Sequence, residues 1–363
     1  MNMVLTWALW FFAAEAIVSL AAFLFRRKKT GPGRRAIIIA VKLLLTLVFA
    51  LLPLIGPVQL RPAQPLLIGL YAALLAETAA DVLYSLFCAA AKKERSFPKA
   101  RLISLVLGLL VFAYGTVNMG SVRPCCHELR SEKLSGTHTV FFAADLHVGS
   151  AMSLEGLEKL VAAMEAEKPE AILLGGDITD DYTTRAETEE AFRLLGRAEV
   201  PIYYIYGNHD RQGYADHAIG LQYTEAELEQ ILRDNGIILL KDSFAALDGE
   251  VMLLGREDLS EKEKRADAAA LVNPAPEKLL IVLDHQPTAF RDDPVTGAEL
   301  QLSGHTHAGQ FFPLRWVYTL FTYPVGEYER DGARMIVTAG AGGWRVPFRT
   351  EGHSCFEVIV LKP

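Results

Sequence analysis

Eight side chains able to hold a divalent ion stand at the ends of apolar runs in the last two-thirds of the chain: Asp145 and His147, Asp177, Asn208 and His209, His285, and His305 with His307. Asp145 and His147 are two residues apart, as are His305 and His307. In extended backbone both members of each pair leave the same face and can converge on one ion. Gly175, Gly176, Gly207 and Gly304 adjoin them and permit tight turns and close backbone approach. Oxygen and imidazole ligands without thiolate suit Mn, Fe, Zn or a similar divalent ion in a reactive centre rather than a structural zinc, and a carboxylate such as Asp177 can bridge two ions. Ligands clustered in this way mark a site of chemistry.

The elements that must position these residues follow from periodicity. Residues 139–144 read as a buried strand ending at Asp145-Leu146-His147, 171–174 as a strand ending at Gly175-Gly176-Asp177, and 201–206 as a strand ending at Gly207-Asn208-His209-Asp210. Helices are predicted between them over 153–168, with Ser153 as N-cap, and over 185–198. The resulting β-α-β-α-β series predicts a parallel sheet with right-handed crossovers. A third helix is expected over 225–235, then short runs at 237–241, 244–247 and 251–254 that resemble an antiparallel ladder. Residues 279–283 read as a strand ending at Asp284-His285, 300–302 lead into Ser303-Gly304-His305-Thr306-His307, and strands near 335–338 and 356–361 close the chain. In an open α/β sheet, the carboxyl ends of parallel strands form the crevice in which sites are built.

The first third is different. Half of the 363 residues are hydrophobic (51%), and the excess is concentrated before residue 123. Four apolar stretches, 1–25, 36–60, 66–91 and 102–120, are each long enough to cross a bilayer. Arg26, Arg27, Lys28, Lys29, Arg34 and Arg35 lie between the first two. Lys92, Lys93, Arg95, Lys99 and Arg101 lie between the last two, whereas 56–65 carries only Arg61. The retention of positive charge on the cytoplasmic side places both basic loops inside, and everything after the fourth helix outside. Glu15, Lys42, Glu77 and Asp81 fall within the spans, either as a proton or ion path or as paired contacts that lock the bundle. The net charge of −7 argues against a nucleic-acid surface. The four cysteines, Cys88, Cys125, Cys126 and Cys355, show no Cys-x-x-Cys spacing, which argues against a thiolate zinc site. They leave open buried thiols or a disulfide between Cys355 and one of Cys125 and Cys126.

From about Thr139 onward the chain resembles a calcineurin-like metallophosphoesterase. The motifs that carry the resemblance are Asp145-Leu146-His147, Gly176-Asp177-Ile178-Thr179-Asp180, Gly207-Asn208-His209-Asp210, Asp284-His285 and Gly304-His305-Thr306-His307, in that order. The extension Ala308-Gly309-Gln310 resembles the bacterial membrane-associated branch, some members of which cleave lipid pyrophosphates. The resemblance implies one ion held by Asp145, His147, Asp177 and His307, and a second held by Asp177, Asn208, His285 and His305. It also implies that His209 meets substrate rather than metal. Two such ions activate water and neutralise charge on a phosphoryl group. His209 is then the candidate general acid, and Asp210 the candidate to hold its tautomer. Arg211, Arg345 and Arg349 are candidates for phosphate recognition. The run Phe311-Phe312-Pro313-Leu314-Arg315-Trp316-Val317-Tyr318 fits a membrane interface, an acyl-chain groove, or an ordinary buried loop.

The expected architecture is of mixed α/β and α+β class. Residues 1–122 form four transmembrane helices, 123–138 a linker, and 139–363 a two-sheet β-sandwich flanked by helices. The expected protein is a multi-pass cell-membrane enzyme with an extracytoplasmic catalytic domain, using two divalent ions to hydrolyse phosphate esters or pyrophosphates. Its expected partners are a phosphate-containing substrate such as a phospholipid or lipid pyrophosphate, and the membrane. The alternative is a membrane sensor or transporter that uses the same fold to bind a ligand.

Overall fold

The computed structural model describes residues 3–24, 32–55, 64–94, 96–215 and 220–363. They divide into two compact units, Met1–Val117 with Phe311–Leu314, and Asn118–Gln310 with Arg315–Pro363.

Four helices come first: α1 (Met3–Leu24), α2 (Pro32–Ile55), α3 (Gln64–Ala90) and α4 (Phe97–Gly120). Among the described residues, three stretches are long and apolar enough to cross a membrane: Ala36–Pro53, Gln64–Ala90 and Pro98–Gly120. Four were expected, and α1 shows only the shorter apolar run Phe11–Ala22. Arg26, Arg27, Lys28, Lys29, Arg95 and the loop 56–63 lie outside the described residues. Arg101, grouped by sequence with the last basic loop, instead lies inside α4. There its guanidinium bonds to Glu77, to Glu15 at 3.2 Å and to Ser19 at 2.5 Å. Lys42 pairs with Glu77 at 3.2 Å and with Asp81. Charges inside an apolar bundle persist when they neutralise one another, and the five charged residues Glu15, Lys42, Glu77, Asp81 and Arg101 form one such network.

Among the described residues, the second unit contains twelve strands and three principal helices. In chain order they are β1 (Arg123–Arg130), β2 (His138–Ala143), α5 (Leu154–Ala166), β3 (Ala171–Leu174), α6 (Arg185–Leu195), β4 (Ile202–Tyr204), α7 (Glu225–Asp234), β5 (Ile237–Leu239), β6 (Ser243–Ala246), β7 (Val251–Gly255), β8 (Leu279–Leu283), β9 (Leu300–Ser303), β10 (Gly326–Arg330), β11 (Ala333–Val337) and β12 (Cys355–Lys362). They form two mixed six-stranded sheets, ordered β1-β12-β2-β3-β4-β5 and β10-β11-β9-β8-β7-β6. Strands β2 to β5 run parallel, as do β7, β8, β9 and β11.

The stretch expected as a linker carries β1, which pairs in parallel with the final strand β12. Its Pro, charges and partly exposed pattern hide the alternation that marks an interior strand. The expected antiparallel ladder also divides. β5 joins the first sheet in parallel after the crossover through α7, and of the three runs just β6 and β7 pair antiparallel with each other, in the second sheet.

Period-2 alternation explains the layering. Val140 and Phe142 of β2 join Leu173, Tyr203, Leu253, Ile281, Leu283 and Leu302 in a core shared by both sheets. Phe141 and Ala143 point the other way, into a core closed by Leu157, Leu160 and Met164 of α5, Phe192 of α6 and Leu228 of α7. Each helix starts where a hydroxyl can accept a free backbone N–H: Ser153 for α5, and Thr184 and Thr224 for α6 and α7, both completed by a capping-box Glu. At the strand tips the sheets meet at Gly304, where an added Cβ would lie 2.5 Å from Asp145 Oδ2. A side chain there would displace that carboxylate.

His138 pins the two sheets at their other end. Its Nδ1 lies 2.9 Å from both Glu170, beside β3, and Asp248, ahead of β7, and its Nε2 lies 3.0 Å from Glu250. Burial lowers its pKa, but hydrogen bonds to Glu170 and Glu250 and the charge of Asp248 outweigh this and raise it. Nearby, Lys278 Nζ donates to the Asp248 carbonyl. A pKa raised by folding contributes stability below the unfolded value near 6.5, and this contribution is lost as pH rises through the folded value. His138→Gln is therefore expected to destabilise more at pH 6 than at pH 9, with a difference of about 1 kcal/mol or less for so exposed a cluster. Equal thermal shifts at both pH values would contradict this role.

Candidate metal centre

All eight chemistry-bearing residues follow strands that run parallel within their sheets. Asp145 and His147 follow β2, Asp177 follows β3, and Asn208 with His209 follows β4, all in the first sheet. His285 follows β8, and His305 with His307 follows β9, both in the second. The loops that carry them are stitched together by backbone hydrogen bonds, Asp145 N–H to Gly176 O, His147 N–H to Asp177 O and Gly304 N–H to His285 O. Asp145, His147, Asp177, His305 and His307 all have positive φ, between 46° and 73°. Asp and His tolerate this left-handed region better than most residues, and such strain gathers where geometry serves function.

The side chains form two triads. Ligand atoms of Asp145, His147 and His307 lie within 4.8 Å of one another, and so do those of Asp177, His285 and His305. The two carboxylates differ in how they are held. Asp145 accepts the His305 N–H at 3.0 Å on both oxygens. Asp177 accepts the His209 N–H at 2.9 Å on Oδ1 alone. Its Oδ2 lies 3.1 Å from His285 Nε2 in one triad and 3.7 Å from His147 Nε2 in the other. His285 donates from Nδ1 to Gly175 O at 2.8 Å, which turns Nε2 toward Asp177. His305 Nδ1 lies 2.8 Å from Asn208 Oδ1.

Asp177 Oδ2, His285 Nε2, His307 Nδ1 and both ring nitrogens of His147 are buried without a hydrogen-bond partner. Leaving so many polar atoms unmatched in one place is costly, and a cation would satisfy them together. The donor set therefore fits divalent metal. Burial alone would raise the Asp177 pKa, yet the charges of His285 and His209 hold it well below the carboxylate range. Burial and the charge of His285 push His305 down to about 4, and burial and the charge of His147 push His307 well down, so both are neutral imidazoles able to ligate.

His209 is held differently from the expectation. Its Nδ1 lies 2.5 Å from Asp181 Oδ2, and Asp181 is itself fixed by the Tyr214 N–H at 2.8 Å. Burial lowers the His209 pKa, but Asp177 and the bond to Asp181 bring it up to about 8. Asp210, expected to set the His209 tautomer, does not reach the ring. Its carboxylate turns back beneath the loop and accepts the N–H groups of Gly207 and Asp177 at 2.7 Å, and of Ile178 and Thr179 at 3.0 Å. Four donors converging on one buried acid outcompete a single imidazole. Burial and the charge of Asp177 still push Asp210 up to about 6. Asp181 stood outside every motif, and the only signal for it was an extra carboxylate directly after Asp180.

All three candidate phosphate-binding arginines are engaged within the protein. Arg211 forms a bidentate pair with Glu257 at 2.9 and 2.8 Å, bonds to Glu225 and stacks 3.6 Å over the Tyr206 ring. Arg349 is fully buried and donates to the carbonyls of His307 and Gly342. Arg345 lies over Tyr182 and Trp344, and the Trp344 ring is 5.8 Å from His209. Asp284 does not enter either triad and pairs with Arg265 at 2.6 Å.

Residues 138–309 match the family model of the calcineurin-like phosphoesterases. The chain is 28% identical over 286 residues to a Danio rerio transmembrane protein with metallophosphoesterase domain, covering 72% of this chain and 62% of that protein, so it spans less than two-thirds of that relative. It is also 28% identical over 271 residues to an uncharacterised metallophosphoesterase of Helicobacter pylori strain J99, covering 72% and 70%. A third relative, the uncharacterised metallophosphoesterase YkuE of Bacillus subtilis, is 27% identical over 232 residues, covering 60% and 77%. Both triads fall within the stretch that matches the family model, and residues 138–309 of this chain form a calcineurin-like metallophosphoesterase domain.

Proposed function

We propose that the protein hydrolyses phosphate esters or pyrophosphates with two divalent ions. Asp145, His147 and His307 would hold one, His285, His305 and Asn208 the other, and Asp177 would bridge them. The observation that carries this reading is Asp177 Oδ2, buried between the two triads, 3.1 Å from His285 Nε2 and 3.7 Å from His147 Nε2, and accepting no hydrogen bond. Bound there, the ions would lower the pKa of water and offset charge on the phosphoryl group. The chain's own residues do the rest. The His209 N–H fixes Asp177 Oδ1 and leaves Oδ2 toward the triads. Asp181 holds His209 Nδ1, so a proton given to a leaving oxygen departs from Nε2. Arg345, beside Tyr182 and the Trp344 ring that lies 5.8 Å from His209, would meet a phosphate from the His209 side.

The membrane half of the reading extends this. Four spans with both basic loops cytoplasmic would put the catalytic domain outside, beside lipid headgroups. Trp316, Leu320 and Phe321 are exposed by 66%, 74% and 70% within one short segment that begins nine residues after His307. Aromatic and aliphatic side chains exposed in this way suit an interface. They support a lipid-linked phosphate or pyrophosphate as substrate.

Four measurements test these assignments. Asp177→Asn is expected to lose metal, measured by elemental analysis, and hydrolysis of a generic phosphodiester together. Full activity would remove the bridge. His209→Ala should keep its metal while turnover falls by roughly 10²–10⁴, and loss of metal would make His209 a ligand instead. Trp316→Glu combined with Phe321→Glu should slow hydrolysis of lipid pyrophosphate in vesicles by roughly tenfold, equivalent to ~1.4 kcal/mol, with a soluble ester unaffected. Equal loss on both substrates would count against an interfacial role. Labelling of exposed Cys126 in intact cells by an impermeant maleimide checks the orientation, and a cytoplasmic location would overturn it.

A further inference from the structure

The cysteines lack metal-binding spacing in the sequence, yet the fold brings two of them together from opposite ends of the catalytic unit. Strands β1 and β12 lie side by side in parallel, with Cys125 opposite Glu357 and Arg123 opposite Cys355. Side chains two apart on a strand share a face, and so do directly paired residues. Cys125 and His127 of β1 and Cys355 and Glu357 of β12 therefore occupy one face of the ladder. Cys126 points to the other face and is exposed. Ligand atoms of Cys125, Cys355 and Glu357 lie within 4.8 Å of one another. For a tetrahedral zinc with bonds of 2.0–2.3 Å, donors stand about 3.5–3.8 Å apart, so the cluster needs only a small contraction to close.

The supporting contacts resemble those around a metal ligand. Cys355 and Glu357 are each 2% exposed. Glu357 Oε2 is held by His127 Nε2 at 2.8 Å, and His127 Nδ1 is held in turn by Glu327 at 2.7 Å. This leaves Glu357 Oε1 toward the sulfurs, 3.2 Å from Cys355 Sγ. A carboxylate oriented by a hydrogen-bonded partner is the usual arrangement behind a ligating group. Oxidation of the two thiols to a disulfide would remove the S–H donor from Glu357 Oε1 and leave a buried carboxylate oxygen without it. A cation keeps that oxygen paired.

We propose that Cys125, Cys355 and Glu357 form a separate binding site for one thiophilic divalent ion, zinc, that clips the first strand of the catalytic unit to the last. Binding releases the two thiol protons. The two thiolates and the Glu357 carboxylate then carry three negative charges, two of which the ion offsets. The site shares no residue with the two triads and does not depend on the phosphohydrolase reading.

The test uses the full-length protein in detergent, stripped by a chelator under reducing conditions and titrated with cobalt. Cobalt bound by thiolate shows a sulfur-to-metal charge-transfer absorption, and the oxygen and nitrogen ligands of the triads give none. The expected result is one equivalent of thiolate-bound cobalt, abolished by Cys125→Ser or Cys355→Ser and unchanged in Cys126→Ser. Glu357→Gln should weaken cobalt binding at this site by about tenfold or more. Absence of the absorption in the wild type, or its survival in either ligand variant, overturns the site. Should the variants fail to fold, alkylation of the wild type decides: zinc must protect Cys125 and Cys355 and leave Cys126 reactive. Equal labelling with and without zinc, or a Cys125–Cys355 disulfide found by peptide mapping, overturns it.

Discussion

One buried carboxylate underlies the geometry of the candidate metal centre without entering either triad. Asp210 gathers the N–H groups of Gly207, Asp177, Ile178 and Thr179. It thereby ties the loop after β4 to the loop after β3. Those loops carry Asn208, His209 and Asp177, and the direction of the Asp177 carboxylate depends on the His209 N–H. A tight turn after each strand leaves donors that no sheet can satisfy, and an acid placed beneath them is an economical acceptor. The two oxygens of Asp177 can then have different roles because the backbone around them is fixed.

Much of this was legible in the chain. Runs such as 139–144 and 171–174 are apolar on both faces because one face meets the second sheet and the other meets helices, and continuous apolar runs mark buried parallel strands. The ligand motifs stood out because each interrupts such a run with Gly, Asp, Asn or His. What stayed hidden depended on distant partners. Strand β1 exists because β12 lies beside it, more than two hundred residues later, and no local pattern carries that information. The reversal of Asp210 and the recruitment of Asp181 were hidden likewise, because adjacency in sequence says little about which acid a turn will aim inward. Arg211 and Arg349 show the same limit, since an arginine reads alike whether it meets phosphate or supports a loop.

The membrane helices follow a related economy. Lys42 and Arg101 lie on α2 and α4, and the acids Glu15, Glu77 and Asp81 lie on α1 and α3. Each of the four helices contributes to one network, and Glu77 is shared by both cations. An apolar medium penalises every unpaired charge, so a network of this kind discriminates among helix arrangements more sharply than apolar packing, which tolerates sliding.

The left-handed backbone at Asp145, His147, Asp177, His305 and His307 has a consequence for how the centre can change. Asp, Asn, His and Gly accept that conformation, whereas β-branched residues do so only with strain. The residues suited to the turns therefore overlap with those suited to metal. Drift within that small alphabet would change or remove a donor while the loops keep their shape. A Val or Ile at the same position would remove the ligand and the turn together. Relatives that have lost catalysis but kept the fold are thus expected to show Asn or Gly at these five positions, and the composition of the turns would record whether a centre was retuned or abandoned.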